Sequence, residues 1–165
     1  DASVIDRDGF RANVGIVLCN DKRQVLLAKR IGQEDSWQFP QGGLDRKETL
    51  TECLYRELRE ELGLLESDVE LLSSVRHWIY YRLPKQYIRH HSHPVCVGQK
   101  QKWFLLKLTS PESAIRFDQS AKPEFDGWEW VDFWYPMKTV IEFKRHVYCE
   151  VLKEFEPVLF GEKSK

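Results

Sequence analysis

The sequence of 165 residues has no apolar run of about 18 residues, so no transmembrane helix is expected. Its opening stretch, DASVIDRDGF, lacks the apolar segment of a secretory signal, and Asp1-Ala2-Ser3 is read as preceding a natural start near Val4. Cysteines are few and scattered. Cys19, Cys53, Cys96 and Cys149 form no CxxC pair, which argues against a zinc ribbon or a dithiol redox centre and for reduced thiols in a cytoplasmic protein. There is no internal repeat, low-complexity tract or linker. These absences point to a single domain over residues 1–165, with a short charged tail, GEKSK, over 161–165.

Acidic residues are missing from one long stretch. Residues 71–111 contain no Asp or Glu, while Arg76, Arg82, Lys85, Arg89, Lys100, Lys102 and Lys107 give a charge of +7, with four His in addition. The preceding stretch, 42–70, carries nine acids and four bases. The whole-chain charge of −1 therefore conceals two blocks of opposite sign. A polyanionic ligand can span both if bases take its phosphates and cations sit on the acids.

Hydrophobic residues make up 42% of the chain, with six Trp and nine Phe, enough for one packed core. VGIVLCN (14–20) and QVLLAKR (24–30) read as a strand pair around Asp21-Lys22-Arg23, and SWQFPQGG (36–43) as extended chain that breaks at Pro40, Gly42 and Gly43. From Thr49 to Leu62, apolar residues recur at threes and fours, and Gly63 stands where a helix cap belongs. Strands are expected at 69–82, 94–98, 101–108 and 128–132, and a last helix over 137–155 with Val140, Phe143, Val147, Val151 and Phe155 on one stripe. Strands between two helices predict an α/β fold with a mixed sheet.

Within the first helix, RELREELGLL (56–65) places Glu57, Glu60 and Glu61 at spacings of three and four. At about 100° per residue they share an arc of roughly 100°, beside the stripe of Leu54, Leu58 and Leu62 rather than opposite it. Like charges so placed repel. A hard divalent cation relieves that repulsion, because Mg2+ or Mn2+ prefers carboxylate oxygens.

Gly42, Glu48, Arg56, Glu57, Leu58, Glu60, Glu61, Gly63 and Leu64 fit the pattern G-x5-E-x7-R-E-U-x-E-E-x-G-U, where U is bulky aliphatic. In this the chain resembles the Nudix hydrolases, which cleave a nucleoside diphosphate linked to another group. The resemblance implies a Nudix-type α/β/α sandwich with a loop-helix-loop catalytic box. It also implies metal ligation by Glu57, Glu60 and Glu61 with the Gly42 carbonyl, and catalytic placement of Arg56 and Glu48. A wider similarity, from about Asp6 to Phe155 and including SWQFPQGG, GQKQKWFLLKL and PEFDGWEWV, is to the branch of bacterial RNA pyrophosphohydrolases.

That similarity implies Glu124 as a further metal carboxylate and Arg11, Arg30, Ser36, Tyr81, Gln99, Lys102, Ile141, Phe143 and Lys144 as substrate contacts, Phe143 stacking on a base opposite Arg30. Strand alternation sets Lys100 and Lys102 on one face and Gln99 and Gln101 on the other, so one of these pairs faces the site. Arg46-Lys47 replaces a common Pro-Gly, Ala12 replaces a common Pro, and Glu34-Asp35 resembles a one-residue insertion. His90-His91-Ser92-His93 reads as a solvent loop in preference to a metal site.

The activity implied is removal of pyrophosphate from 5'-triphosphorylated RNA, leaving a 5'-monophosphate end and initiating mRNA decay. It would be assisted by Mg2+ or another divalent metal, in a cytoplasmic monomer that has no contact with membrane. Two rivals stand beside it: a dinucleoside polyphosphate hydrolase, as in relatives sharing WQ-x-PQGG, and a non-catalytic RNA-binding scaffold.

Overall fold

The computed structural model describes residues 4–161. Asp1–Ser3 and residues 162–165 of the expected tail lie outside it. Eight strands form one mixed sheet: β1 (Phe10–Cys19), β2 (Val25–Arg30), β3 (Trp37–Gln38), β4 (Gln41–Gly43), β5 (Val69–Ser74), β6 (Ile79–Arg82), β7 (Gly98–Leu108) and β8 (Phe125–Val131). β1 runs parallel to β7 from Phe10↔Gly98 to Cys19↔Lys107, and every other pairing is antiparallel.

The sheet is layered between α1 (Leu50–Leu62) on one face and α3 (Arg145–Phe160) on the other, with a short α2 (Pro136–Thr139) before α3. Alternation along β1 and β7 explains the two layers. Val14, Ile16, Leu18, Phe104 and Leu106 meet Leu54, Leu58 and Leu62 of α1. Val17, Cys19, Trp103 and Leu105 meet Val147, Tyr148, Val151 and Phe155 of α3. The expected α/β/α sandwich is thus observed. No helix among the described residues is long and apolar enough to cross a membrane.

One irregularity of the sheet positions the site. β1 and β2 pair at Cys19↔Val25 and then separate, β1 pairing with β4 at 13–15 and β2 with β3 at 28–29. The segment WQFPQGG fills the gap between them as a wedge. Phe39 at its centre is fully buried, its ring 4.7 Å from Tyr148 and 5.8 Å from Trp103, and its amide donates to the Tyr148 hydroxyl at 3.0 Å.

Three expected elements differ. The strand over 69–82 is two strands, because the five steps from Ser74 to Ile79 face only three steps on β7, from Phe104 to Gln101, and the excess loops out. Residues 94–97 are irregular, and the strand begins at Gly98. The last helix is broken: Val140 is extended (φ −69°, ψ 143°), Glu142–Lys144 forms a separate 3-10 turn, and α3 continues through Pro157 to Phe160. The apolar stripe hides this break because Val140, Val147, Val151 and Phe155 are buried on either side of it.

Candidate active site

Helix α1 begins with a reciprocal cap. The Thr49 hydroxyl accepts from the Glu52 amide at 3.1 Å and the Glu52 carboxylate accepts from the Thr49 amide at 2.9 Å. It ends at Gly63 in the left-handed region (φ 73°), where a Cβ would meet the Arg116 carbonyl oxygen at 2.7 Å. These caps fix the rotation of the helix, and with it the direction of the glutamates.

Glu57, Glu60 and Glu61 come together, each offering a carboxylate oxygen within 4.8 Å of the others. Glu57 and Glu61 are buried and Glu60 half-buried. Gly42, on the end of the wedge, faces them, and a Cβ there would overlap the Glu57 carboxyl group. A glycine at this point is therefore required by volume. The Gly42 carbonyl lies 4.0 Å from the Cys53 sulfur.

Arg56 ties the loop to the helix. Its guanidinium grips both oxygens of Glu48, one of them through Nη2 at 2.8 Å, and donates to the Gly43 carbonyl at 2.8 Å and to Glu57 at 2.8 Å. Hydrogen bonding from Arg56 holds the Glu48 carboxyl below the usual range. Glu48 also accepts from the Asp45 amide at 3.0 Å, so it closes the loop on itself.

The electrostatics of the cluster run the other way. Burial pushes Glu57 up to about 7, against the opposing pull of Arg56. Burial likewise raises Glu61, reinforced by the facing charges of Glu124 and Glu57. Glu124, which precedes β8, is thereby brought to the same cluster from outside the helix, although the residue itself is exposed. Glu61 Oε2 is buried without a hydrogen-bond partner. An unpartnered buried carboxylate oxygen among three crowded acids fits a hard divalent cation, which takes oxygen ligands and cancels the repulsion.

Across the wedge, Lys144 donates to Gln41 at 3.3 Å, and burial lowers its ammonium to about 8, assisted by Arg30 and opposed by Glu124. Lys144 lies over the Tyr81 ring at 5.3 Å. Tyr81 itself is buried, its hydroxyl accepts from Gln41 at 3.3 Å, and burial pushes it up to about 12. Its ring faces are taken by protein, so it supports Lys144 and is not an open platform for a base. Phe143 is half-buried, 5.8 Å from Tyr81, and Ile141 is exposed.

Arg11 and Gln99 are paired in register on the α3 face, Gln99 accepting from Asn13 at 2.9 Å. Lys102 points to the α1 face, over the Trp78 ring at 5.4 Å, and donates to the Arg76 carbonyl. The Gln99 pair, not the Lys102 pair, is therefore the one beside Arg11. The Ser36 backbone anchors the β2–β3 turn by accepting from the Arg30 amide at 3.0 Å.

Sequence reasoning missed Gln41, which joins Lys144 to Tyr81, although it stands within the PQGG segment. It also missed Tyr87, whose ring lies 6.0 Å from Phe143. Nothing in the local pattern around Tyr87 announces that contact, which is made across 56 residues of sequence.

The NUDIX domain matches residues 9–151. The RNA pyrophosphohydrolase of Stutzerimonas stutzeri (strain A1501) is 58% identical over 156 residues, covering 94% of this chain and 98% of that one. The RNA pyrophosphohydrolase of Histophilus somni (strain 2336) is 55% identical over 162 residues, covering 98% and 84%. Among solved structures, the E. coli dihydroneopterin triphosphate pyrophosphohydrolase superposes with a TM-score of 0.68 at 19% identity, covering 92% of this chain and 99% of that one. A C. elegans Ap4A hydrolase superposes with a TM-score of 0.66 at 19% identity, covering 91% and 99%. Those two likenesses concern the fold alone.

Proposed function

The chain belongs to the Nudix hydrolase family, and from that premise we propose that it is an RNA pyrophosphohydrolase that removes pyrophosphate from 5'-triphosphorylated RNA and leaves a 5'-monophosphate. The observation that carries the reaction is the trio Glu57, Glu60 and Glu61, held within 4.8 Å of one another and partly buried. Near full-length identity to relatives of that name supports the substrate.

Family members use divalent metals; here Glu57, Glu60 and Glu61, with Glu124 and the Gly42 carbonyl, would hold Mg2+ or Mn2+, which supplies positive charge for the phosphates and activates water. Arg56 orients Glu57 and Glu60 through Nη1 and, through Glu48 and Gly43, keeps the loop closed on the helix. Lys144 and Arg30 bind phosphate oxygens from the opposite side. An incoming phosphate keeps Lys144 charged to higher pH, because an adjacent anion offsets the burial that lowers it. Arg11 and Gln99 extend the polar surface along β1 and β7, and Ser36 lies on the turn that carries Arg30. Phe143 offers a base its exposed part, with Ile141 at the rim.

In the reaction, water adds to the α phosphorus, a box carboxylate takes the proton, and the α–β bridging oxygen leaves with pyrophosphate. The four cysteines are free thiols, which supports a reducing compartment such as the cytoplasm. The second reading, hydrolysis of dinucleoside polyphosphates, rests on the WQFPQGG segment that forms the wedge. Parallel turnover of 5'-triphosphorylated RNA and diadenosine tetraphosphate with Mg2+ separates the two. The expected result is the larger kcat/KM on RNA with pyrophosphate released, and a large preference for the dinucleotide would reverse the proposal.

A further inference from the structure

A cleft of about 910 Å3 is lined among others by Arg11, Arg46, Leu83, Tyr87, Arg89 and Gln99. Among the described residues that line it, three are arginines and none is Asp or Glu. Its volume falls at the upper end of the range for ligand sites, about 300–1,000 Å3.

Tyr87 is one of its lining residues. The 3-10 turn Lys85–Tyr87 fixes the backbone there, through Tyr87 N–H to the Pro84 carbonyl at 2.9 Å and Ile88 N–H to the Lys85 carbonyl at 3.2 Å. The ring is tilted 46° to Phe143 at 6.0 Å yet remains 53% exposed. Phe143 touches Tyr81, Lys144 covers Tyr81, and Lys144 responds to Glu124 and Arg30. Contacts of Lys144 with Tyr81, of Tyr81 with Phe143 and of Phe143 with Tyr87 therefore connect the Lys144 side of the site to the cleft.

Single-stranded nucleic acid binds to surfaces of this kind, with bases stacked on aromatic rings and phosphates on arginines. Resting on the RNA reading above, we propose that the cleft holds nucleotides of the RNA strand beyond its reacting 5' end, with Tyr87 as the stacking platform for a base and Arg46 and Arg89 as contacts to internucleotide phosphates. A dinucleoside polyphosphate has no internucleotide phosphate of this kind, so the cleft favours a polymer.

The test compares kcat/KM on a 5'-triphosphorylated dinucleotide and on an unpaired octanucleotide with the same leading sequence, in Mg2+. The wild type favours the octanucleotide. Tyr87→Ala lowers the octamer-to-dimer ratio about five- to a hundred-fold, while Tyr87→Phe keeps it. Arg46→Ala and Arg89→Ala lower the ratio and reduce the dependence of its logarithm on log salt by about 0.7 for each phosphate that is no longer neutralised. Because the ratio is taken within each variant, any loss of folded protein cancels. A wild type indifferent to length, or an unchanged ratio in Tyr87→Ala and both arginine variants, overturns the inference and leaves the pyrophosphohydrolase reading standing. A wild type that turns over no triphosphorylated RNA of either length overturns both.

Discussion

Kept free of divalent ions, the protein is expected to lose stability as the pH rises from about 4.5 to about 7. Glu57 has an ordinary value of 4.5 and is raised to about 7 in the folded chain, chiefly by burial. A raised carboxyl favours the protonated form in the native state. Its contribution is therefore fully present below the unfolded value and disappears as the pH rises through the folded one. At 1.36 kcal/mol per unit, the shift corresponds to about 3 kcal/mol, a substantial part of the 5–15 kcal/mol typical of a domain. Glu61 shifts in the same direction, but its effect does not simply add, because it faces Glu57 and Glu124. Lys144, lowered to about 8, acts above this window, and Glu48, held low, acts below it.

Urea unfolding followed by tryptophan fluorescence, with chelator, measures the effect in wild type and in Glu57→Gln. With a urea slope of about 1–3 kcal/mol/M, the wild-type midpoint falls by roughly 1–3 M relative to the variant between pH 4.5 and 7.5. Saturating Mg2+ removes most of that fall, since the cation binds the folded ionised cluster. Parallel pH dependences in the two proteins would refute the buried-carboxylate reasoning, and an Mg2+ effect of equal size in both would remove Glu57 from the metal set.

Three further expectations rest on individual side chains. Gly42→Ala drives a methyl group into the Glu57 carboxyl, so turnover and Mg2+ affinity, read by isothermal titration, both fall at least ten-fold while the circular dichroism spectrum is kept. Lys144 loses its charge as the pH rises through about 8, so kcat/KM has a descending limb there; the limb disappears in Lys144→Met and moves upward in Lys144→Arg. Tyr148→Phe leaves the buried Phe39 amide without its acceptor and costs about 1–3 kcal/mol in denaturant titrations, loosening the wedge that carries Gly42.

Much of the fold and site is legible in the sequence where the determinants are local. The spacing of Glu57, Glu60 and Glu61 against Leu54, Leu58 and Leu62 fixes a helix face, because side-chain direction on a helix depends only on its rotation. Gly42 is legible as a close approach, and the Lys100/Gln99 alternation as two faces. What escapes depends on distant partners. The break at Val140 is compatible with an unbroken apolar stripe, and it moves Phe143 and Lys144 from a helix face onto a turn of their own. Tyr81, expected from the resemblance as a substrate contact, is buried with its ring beneath Lys144. The wedge of WQFPQGG between β1 and β2 is a consequence of two strands parting, which no single segment encodes.

The most direct test is pyrophosphate release from 5'-triphosphorylated RNA in Mg2+ by wild type, Glu57→Gln and Glu61→Gln, with the 5' end of the product determined. The wild type is expected to give pyrophosphate and a 5'-monophosphate end, and both variants to turn over at least a hundred-fold more slowly with their fold intact. Near-normal turnover in both would contradict the assignment of the box glutamates to the metal and the reaction.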